Sequence, residues 1–321
     1  MQPPFNAQRR KSLQTLTSLV SGAALSSAWP LCAGAQDKPA LLTRAIPRTG
    51  EKLAVVGLGT QFVLDVGDDL DKRKVRIAMI RTLLDNGGSV IDTAPSYGPA
   101  ETQLGSMLDE MKARERVFLS TKFRAPGRDG ALGETRESLK KLRTQKLDLL
   151  LRHNIGFVSK SEADTYLAVA REWKSQGVCR YIGVTHSQDQ ARANDRLIEM
   201  LRTEKLDFIQ VSYSMAERSV EDKLLAVAAD TGTAVMCNLP FARAALFKAV
   251  AGKPVPEWAK EFDATTWGQF FLKYLIAHPS VNVVIPGTDR VEHMLDNIEA
   301  GRTRLPNAAQ RKRMVEFIGA V

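Results

Sequence analysis

Four side chains that can take part in proton chemistry follow strand-like apolar segments in this chain of 321 residues. Asp92 and Tyr97 lie in VIDTAPSYG, Lys122 lies in LSTKF, and His153 ends LDLLLRH. A phenol has a pKa of about 10 and is a poor acid at neutral pH. A nearby lysine would lower the phenol pKa by favouring phenolate, a carboxylate would hold that lysine, and a histidine would orient a carbonyl oxygen. This set predicts proton transfer to the oxygen of a carbonyl that is accepting hydride.

Lys122 is the most informative of the four residues. It lies inside the apolar run VFLSTKF, and burying an ammonium costs several kcal/mol unless the charge is paired. Asp92, on the neighbouring predicted strand, is the expected partner. Each residue alone also has a plain structural explanation: a loop-capping carboxylate, a surface phenol, a solvated strand end and a satisfied rim histidine. Those explanations would have to coincide on adjacent strands, which favours a functional cluster.

Strands must position these residues, because apolar runs of strand length alternate with amphipathic helical segments along the chain. The runs are nearly continuous rather than alternating, which is typical of a parallel sheet covered by helices. The eight candidate strands are residues 53–59, 89–94, 117–123, 147–153, 180–186, 208–214, 233–239 and 281–287. Eight strands that each precede a helix predict the α/β class and a (β/α)8 TIM barrel. In this fold the chemistry lies at the carboxyl ends of the strands.

A doubly wound open sheet is the alternative fold. Its first strand normally runs into G-x-G-x-x-G and a helix. Here the first strand ends Gly57-Leu58-Gly59-Thr60-Gln61, without the third glycine or a helix directly behind it. The barrel is therefore favoured, and a long break at 241–265 after the seventh strand could fold over a ligand.

These motifs resemble those of the aldo-keto reductases, and the resemblance covers nearly everything from Gly50 onward. It is carried by IDTAPSYG, LSTKF and LDLLLRH. The resemblance implies that Asp92, Tyr97, Lys122 and His153 form the catalytic tetrad of the family, with Tyr97 as the general acid or base.

The same resemblance implies a nicotinamide coenzyme at the strand ends. Gln210 would bind the nicotinamide carboxamide, and Tyr213 would stack on its ring. Thr185 and His186 occupy the place of a Ser-Asn pair that is common in the family. Thr185 can keep the hydroxyl contact of the serine, whereas His186 replaces the amide of the asparagine. Further coenzyme-binding residues are implied at Gly59, Thr60, Pro240 and Phe241.

The last strand runs into IPGTDRVEHMLDN, which resembles the adenosine-phosphate segment of the family. Backbone N–H groups and a helix N-terminus can hold phosphate there. The residues that fit this pattern are Gly287, Thr288, Asp296 and Asn297. Gly287 replaces the usual lysine, and His293 falls where an arginine often binds the 2′-phosphate, a role that Arg290 can take over. NADP(H) is predicted in preference to NAD(H), which stays possible.

The first 35 residues differ in composition from the rest. A basic segment, Arg9-Arg10-Lys11, precedes a mildly apolar stretch and then Ala33-Gly34-Ala35, a cleavage site of the A-x-A type. This pattern predicts an export signal peptide at 1–35, a linker at 36–49 and the barrel at 50–321. The paired arginines favour twin-arginine translocation, with the general secretory route as the alternative. We therefore expect a periplasmic protein that meets a translocase during export and has no stable membrane anchor.

The composition argues against several other classes. The formal net charge is +9, but no basic run with interleaved aromatic residues predicts a nucleic-acid partner. Cys179 and Cys237 remain after cleavage and are predicted to be buried free thiols. None of the four histidines lies at H-x-x-x-H spacing, so no metal site is predicted.

The sequence therefore predicts an NAD(P)H-dependent oxidoreductase that interconverts an aldehyde or ketone with its alcohol. The alternative is a low-turnover nucleotide-binding sensor, or a partner-binding protein, on the same barrel, because free NADPH is not expected outside the cytoplasm. The substrate and the oligomeric state do not follow from these motifs.

Overall fold

Eight parallel strands form the central sheet of this computed structural model, which describes residues 39–319. The ten strands within these residues, β1 to β10, are Thr43–Ala45, Lys52–Ala54, Leu58–Gly59, Val90–Asp92, Phe118–Phe123, Leu147–Arg152, Cys179–His186, Phe208–Ser212, Ala234–Asn238 and Val281–Val284. The ten helices of the same range, α1 to α10, are Leu70–Asp85, Ala100–Met111, Gly127–Lys141, Lys160–Ser175, Gln190–Thr203, Leu224–Asp230, Ala245–Ala249, Trp267–Ile276, Val291–Glu299 and Ala308–Gly319. Short 3₁₀ helices span Arg114–Arg116, Ile155–Phe157, Ser219–Glu221 and Glu257–Phe262.

The parallel sheet runs in chain order from β3 to β10 and then closes on itself. Val56 forms a parallel bridge with Val284. The amide of Gly57 donates to the carbonyl of Val284 at 2.9 Å, and the amide of Val284 donates to the carbonyl of Val55 at 2.8 Å. The predicted (β/α)8 barrel is confirmed, so the carboxyl ends of all eight strands share one rim.

The apolar strands are buried on both faces, as expected for parallel strands inside a layer of helices. β5 and β6 are buried at every position. One hydrophobic cluster fills the barrel interior and includes Val90, Phe118, Leu149, Leu151, Phe208 and Met236. A larger cluster packs between the strands and the helices. A polar side chain in these strands must therefore find its partners inside the protein.

Helix ends follow their local sequence. Ser159 and Glu162 form a capping box at the start of α4. Gly87, Gly177 and Gly232, which follow the ends of α1, α4 and α6, have φ angles of 88°, 72° and 67°. These values lie in the left-handed region that glycine adopts without steric cost.

The N-terminal hairpin begins inside the segment that was expected to be a linker, residues 36–49. β1 pairs with β2 in antiparallel fashion, with Thr43 opposite Ala54. Ile46 and Leu53 join the cluster that fills the barrel interior. The described part of this segment therefore belongs to the barrel, because even a short polar stretch can bury a few apolar side chains. The predicted export signal, residues 1–35, lies outside the described residues.

The long break after β9 contains α7 and the 3₁₀ helix at 257–262. Immediately before α7, Ala242, Arg243 and Ala244 have φ angles of 48°, 53° and 68°. A left-handed conformation costs a non-glycine residue roughly 1–2 kcal/mol, so contacts elsewhere must hold this turn in place.

Within residues 39–319, no helix is long and apolar enough to cross a membrane. The same residues contain no group of three or more His, Cys, Asp or Glu side chains that could hold a metal ion.

Candidate active site

A buried ion pair joins the ends of β4 and β5. Lys122 Nζ lies 2.5 Å from Asp92 Oδ2, and their side chains are 0% and 2% exposed. The same ammonium donates to the carbonyl oxygen of Thr93 at 2.8 Å. Burial lowers the pKa of Lys122, but the charges of Asp92 and Tyr97 outweigh it, so the net shift is upward. Lys122 is therefore held as a cation, as its place in an apolar strand required.

Asp92 is itself fixed by two neutral donors. Its Oδ1 accepts from Ser120 Oγ at 2.8 Å and from Gln210 Nε2 at 2.9 Å. Ser120 stands opposite Asp92 in the register of β4 and β5. The carboxylate thus has partners on both oxygens, and it cannot turn away from Lys122 without breaking buried hydrogen bonds.

Tyr97 lies beside this ion pair in the loop between β4 and α2. Lys122 Nζ stands 4.9 Å from the centroid of the phenol ring. Burial raises the pKa of Tyr97, the Lys122 charge lowers it and the Asp92 charge raises it, with a net upward shift. The expected lowering by lysine is present but is smaller than the effect of burial. Tyr97 is therefore protonated at neutral pH, which suits a proton donor.

His153 faces Tyr97 from the end of β6. The two ring centroids are 6.0 Å apart, with an interplanar angle of 84°. Burial and the charges of Lys122, Arg124 and Arg152 lower the pKa of His153 to about 3. His153 is therefore neutral at physiological pH and can hydrogen-bond a substrate oxygen without carrying a charge. Its buried Nδ1 has no hydrogen-bond partner among residues 39–319.

A cavity of about 1140 Å³ opens in front of Asp92 and Tyr97. Nine of the predicted coenzyme-binding residues line it: Gly59, Thr60, Pro240, Phe241, Gly287, Thr288, His293, Asp296 and Asn297. These residues come from the end of β3, from the loops after β3, β9 and β10, and from α9, which the barrel brings to one side of the rim. Lys122 and His153 are not among the residues that line the cavity, but both stand next to the Tyr97 ring, which does.

Three predicted coenzyme contacts are buried beneath the cavity rather than on its wall. Gln210 donates to Asp92 and accepts from Thr185 Oγ1 at 3.3 Å, so it serves as a support for the ion pair. His186 Nδ1 accepts from the amide of Gly156 at 3.2 Å. Thr185, His186 and Gln210 are each 1% exposed. Arg290 is exposed at the start of α9 and does not line the cavity.

Tyr213 lies outside the cavity, and a stacking role finds no support in its position. Its side chain is fully buried, and its hydroxyl donates to Glu221 Oε1. Tyr274 and Arg311 also hydrogen-bond Glu221, at 2.7 and 2.8 Å. β8 ends at Ser212, so the chain has already turned away from the rim when it reaches Tyr213. This network instead ties α10 to the barrel.

The cavity wall also contains residues that sequence reasoning missed. These are Gln61, Phe62, Asn238, Leu239, Arg243, Ala244, Phe247, Thr266, Trp267, Gly268 and Ile285. Several fall in or just after the break that was predicted to fold over a ligand. Nothing in the local sequence marks the others, because they reach the cavity through the packing of loops that are distant in sequence.

One wall of the cavity is built by the contact between α8 and α9. Thr266, the N-cap of α8, donates to the carboxylate of Asp296 at 2.8 Å. Gln269 Nε2 donates to the same carboxylate at 2.8 Å. A Cβ on Gly268 would stand 2.8 Å from Asp296 Oδ2, so only glycine allows this approach. The Thr-x-x-Gln spacing at 266–269 signals a helix start, but not its position at the cavity.

The profile of the aldo/keto reductase family matches residues 56–316 of this chain, most of its length. The chain belongs to the aldo/keto reductase family. It is accordingly an oxidoreductase that acts on carbonyl compounds or the corresponding alcohols.

Individual relatives agree with this assignment. Methylglyoxal reductase YeaE of Escherichia coli (strain K12) is 29% identical over 262 residues, which cover 80% of this chain and 88% of that protein. The NADH-specific methylglyoxal reductase of the same organism is 28% identical over 236 residues, 65% of this chain and 70% of that protein. An aldo-keto reductase from Klebsiella pneumoniae, solved in complex with NADPH, superimposes with a TM-score of 0.67 at 25% identity, covering 84% of this chain and 92% of that chain.

In this aldo/keto reductase, Lys122 places a positive charge 4.9 Å from the centre of the Tyr97 ring, and Asp92 holds Lys122 in place. Protonated Tyr97 and neutral His153 face each other with ring centroids 6.0 Å apart. A phenol that can donate a proton, beside a fixed cation, can stabilise negative charge that develops on a nearby oxygen.

Proposed function

We propose that this aldo/keto reductase reduces a small aldehyde or ketone with a reduced nicotinamide dinucleotide, NADPH in preference to NADH. The observation that carries the proposal is the placement of Tyr97, backed by the Lys122–Asp92 pair, at the end of a single large cavity. Ligand pockets typically measure roughly 300–1,000 Å³. The volume of about 1140 Å³ has room for an extended ligand and a small second molecule.

The residues of the cavity fit a nucleotide coenzyme. Thr60 Oγ1 is fully buried without a hydrogen-bond partner in the described structure, so a polar ligand can satisfy it. Gly59 comes so close to β10 that an added Cβ would lie 2.9 Å from the carbonyl oxygen of Ile285. A flat, side-chain-free surface of this kind lets a ligand approach the backbone. Thr288 and Asn297 would hold the adenosine end.

The chemistry then divides between the coenzyme and the protein. When bound, the coenzyme supplies the hydride that adds to the carbonyl carbon. Tyr97 gives its hydroxyl proton to the carbonyl oxygen, and the adjacent Lys122 ammonium stabilises the phenolate that remains. His153 orients the carbonyl through a hydrogen bond. General acid catalysis of this kind is worth roughly 10²–10⁴ in rate.

A direct test uses the purified full-length protein, NADPH and a panel of small aldehydes that includes methylglyoxal, because two relatives are methylglyoxal reductases. We expect multiple turnovers, seen as loss of the reduced-nicotinamide absorbance, and their loss in the Tyr97→Phe variant. The proposal fails if the protein binds neither nucleotide, or if Tyr97→Phe retains full activity. Tight coenzyme binding with negligible turnover across the panel would instead favour a low-turnover nucleotide sensor.

Coenzyme preference has its own test. His293 is the basic residue on the α9 side of the cavity, and a 2′-phosphate distinguishes NADPH from NADH. We expect the wild type to bind NADPH more tightly, and His293→Ala to weaken NADPH binding with little effect on NADH. Equal affinities in both proteins would contradict the preference.

We also propose that the protein acts after export, in the periplasm. The support is the basic, apolar and A-x-A pattern of residues 1–35. Export in the folded state would carry bound coenzyme across the membrane, where free NADPH is not expected. Cell fractionation of the wild type and of an Arg9→Lys, Arg10→Lys double variant tests this proposal. We expect the wild type in the periplasm and the variant retained in the cytoplasm; equal retention of both would contradict it.

A further inference from the structure

Two loops form the side of the cavity on which Gly59 and Gly287 lie. The first loop, residues 60–69, joins β3 to α1, and Thr60 and Phe62 in it line the cavity. The second loop, residues 285–290, joins β10 to α9. Where the two begin, the amide of Gly59 donates to the carbonyl of Pro286 at 3.2 Å. Beyond this hydrogen bond, further from the strands, the distance between the two loops sets the width of this part of the cavity.

One buried side chain connects the two loops at a distance from their strands. Arg76, in α1, is 9% exposed. Its Nε donates to the carbonyl of Val63, in the first loop, at 2.8 Å. Its Nη1 donates to the carbonyl of Asp289, in the second loop, at 2.5 Å. The guanidinium of Arg76 therefore binds the main chain of both loops.

The partners of Arg76 are chiefly backbone oxygens rather than a carboxylate. The carboxylate of Asp289 lies 3.4 Å from Nη2 and is 56% exposed, so this ion pair adds little. Hydrogen bonds from the charged guanidinium to the two main-chain carbonyls are the stronger contact. Only the rigid, planar fork of an arginine presents donors in two directions at once. A lysine could reach one loop but would not hold both.

We propose that Arg76 is a positioning residue for the coenzyme, because it fixes the separation of the two loops between which the dinucleotide lies. This inference rests on the proposed function, since it presumes coenzyme in this cavity. Arg76 does not line the cavity and touches no reacting atom. Its loss should therefore weaken coenzyme binding without slowing the chemistry once the coenzyme is saturating.

The test compares Arg76→Met, which keeps the length and helix propensity of the side chain, with Arg76→Lys. Arg73→Met is the matched control, because Arg73 lies one turn earlier in α1 and donates to Glu110 Oε2 of α2 at 2.6 Å instead. NADPH affinity is measured for each full-length protein by fluorescence titration, without substrate. Coenzyme KM and kcat are then measured at saturating aldehyde.

We expect Arg76→Met to raise the NADPH Kd and KM by roughly tenfold or more, with kcat within about twofold of the wild type. Arg76→Lys should recover part of the affinity, and Arg73→Met should bind like the wild type. Asp289→Ala should change the Kd by less than about twofold, because the carbonyl and not the carboxylate is the acceptor. If Arg76→Met does not fold, Arg76→Lys alone decides, and wild-type affinity in that variant overturns the proposal.

Three other results overturn the inference while leaving the proposed function intact. They are an unchanged Kd in Arg76→Met, an equal loss in Arg73→Met, and a loss in kcat instead of Kd. Failure of the wild type to bind any nicotinamide nucleotide is a different outcome, because it overturns the proposed function itself. Limited proteolysis of the coenzyme-free proteins adds a structural readout: cleavage in 60–69 or 285–290 should be faster in Arg76→Met only.

Discussion

The two ends of the barrel carry similar polar side chains, but their hydrogen bonding differs. At the amino end, Asp148 accepts from Arg180 Nη1 at 2.8 Å and from the amide of Leu119 at 2.8 Å. Tyr181 donates to Glu51 Oε2 at 2.5 Å. These amino-end groups bind one another and so stabilise this part of the fold.

At the carboxyl end, several buried polar atoms have no partner. Thr60 Oγ1, Thr93 Oγ1 and His153 Nδ1 make no hydrogen bond within the described residues. A buried polar group without a partner costs about 1–3 kcal/mol. The comparison indicates that the amino end stabilises the fold, while the carboxyl end keeps unsatisfied groups for ligands. Matched substitutions at the two ends test this division between stability and ligand binding.

The largest expected effect separates two tyrosines. Tyr97→Phe should lower the rate of carbonyl reduction by roughly 10²–10⁴ and leave the free energy of unfolding nearly unchanged. Tyr181→Phe should keep full activity but lose about 1.5–3 kcal/mol of stability, because a hydrogen bond to a carboxylate disappears. Steady-state kinetics and urea unfolding of both variants check the pair. Similar behaviour of the two would contradict the division.

The second-largest expected effect separates two cations that bind carboxylates, Lys122 and Arg180. Lys122→Met leaves the buried charge of Asp92 unpaired and should cost about 3–5 kcal/mol of stability, together with most of the activity. Arg180→Met removes a half-exposed partner of Glu51 and Asp148 and should cost about 0–1 kcal/mol. Adding Asp92→Asn to Lys122→Met should restore stability but not activity, measured by thermal unfolding and kinetics. Restored activity would show that the pair is only structural.

A smaller effect concerns pH. The pKa of His153 is about 3 in the folded protein and about 6.5 in an unfolded chain. Below pH 6.5, His153 becomes protonated in the unfolded chain but stays neutral in the native state. The free energy of unfolding therefore falls as the pH falls. The wild type should lose on the order of 2 kcal/mol more than His153→Gln between pH 7 and pH 5. Urea unfolding at both pH values measures this difference, and equal losses in the two proteins would show that His153 is protonated in the native state.

The smallest expected effect compares two buried threonines. Thr60→Val removes a hydroxyl that has no partner in the part of the chain that the structure describes, so it should leave stability equal or slightly higher while weakening coenzyme binding several-fold. Thr233→Val removes a hydroxyl that donates to Leu206 O at 3.2 Å and should cost about 1 kcal/mol with unchanged binding. Thermal unfolding and nucleotide titration of both variants test this comparison. A loss of stability in Thr60→Val equal to that in Thr233→Val would show that the Thr60 hydroxyl does have a hydrogen-bond partner.

The strands were predictable because a buried parallel strand leaves a nearly continuous apolar run. The predicted run at 117–123 became a strand at Phe118–Phe123, and 147–153 became Leu147–Arg152. The run at 53–59 was harder to interpret, since it contains an antiparallel strand, a bridge and a barrel strand in succession. Positions 53–58 are all buried, so the run is apolar throughout and periodicity does not reveal the change of direction.

The contrast between Tyr97 and Tyr213 shows where sequence reasoning about the site stops. Both tyrosines follow a strand end, but only the loop of Tyr97 turns its ring toward the rim. Tyr213 lies three positions after Gln210, and its ring centroid is 6.2 Å from that of Tyr274 instead. The direction of a side chain after a strand ends depends on what packs behind it, which no local pattern encodes.

The sequence by itself determined the barrel and the rim positions of Asp92, Lys122 and His153, because parallel strands place their carboxyl ends on one rim whatever the loops do. It placed Tyr97 in the loop directly after β4, but the packing of that loop decided where the ring points. Only the tertiary structure decided which loops line the cavity and how Arg76 connects two of them. It also decided that burial outweighs the lysine charge in setting the pKa of Tyr97. Contacts and desolvation depend on distances between residues far apart in the chain, and those distances exist only after folding.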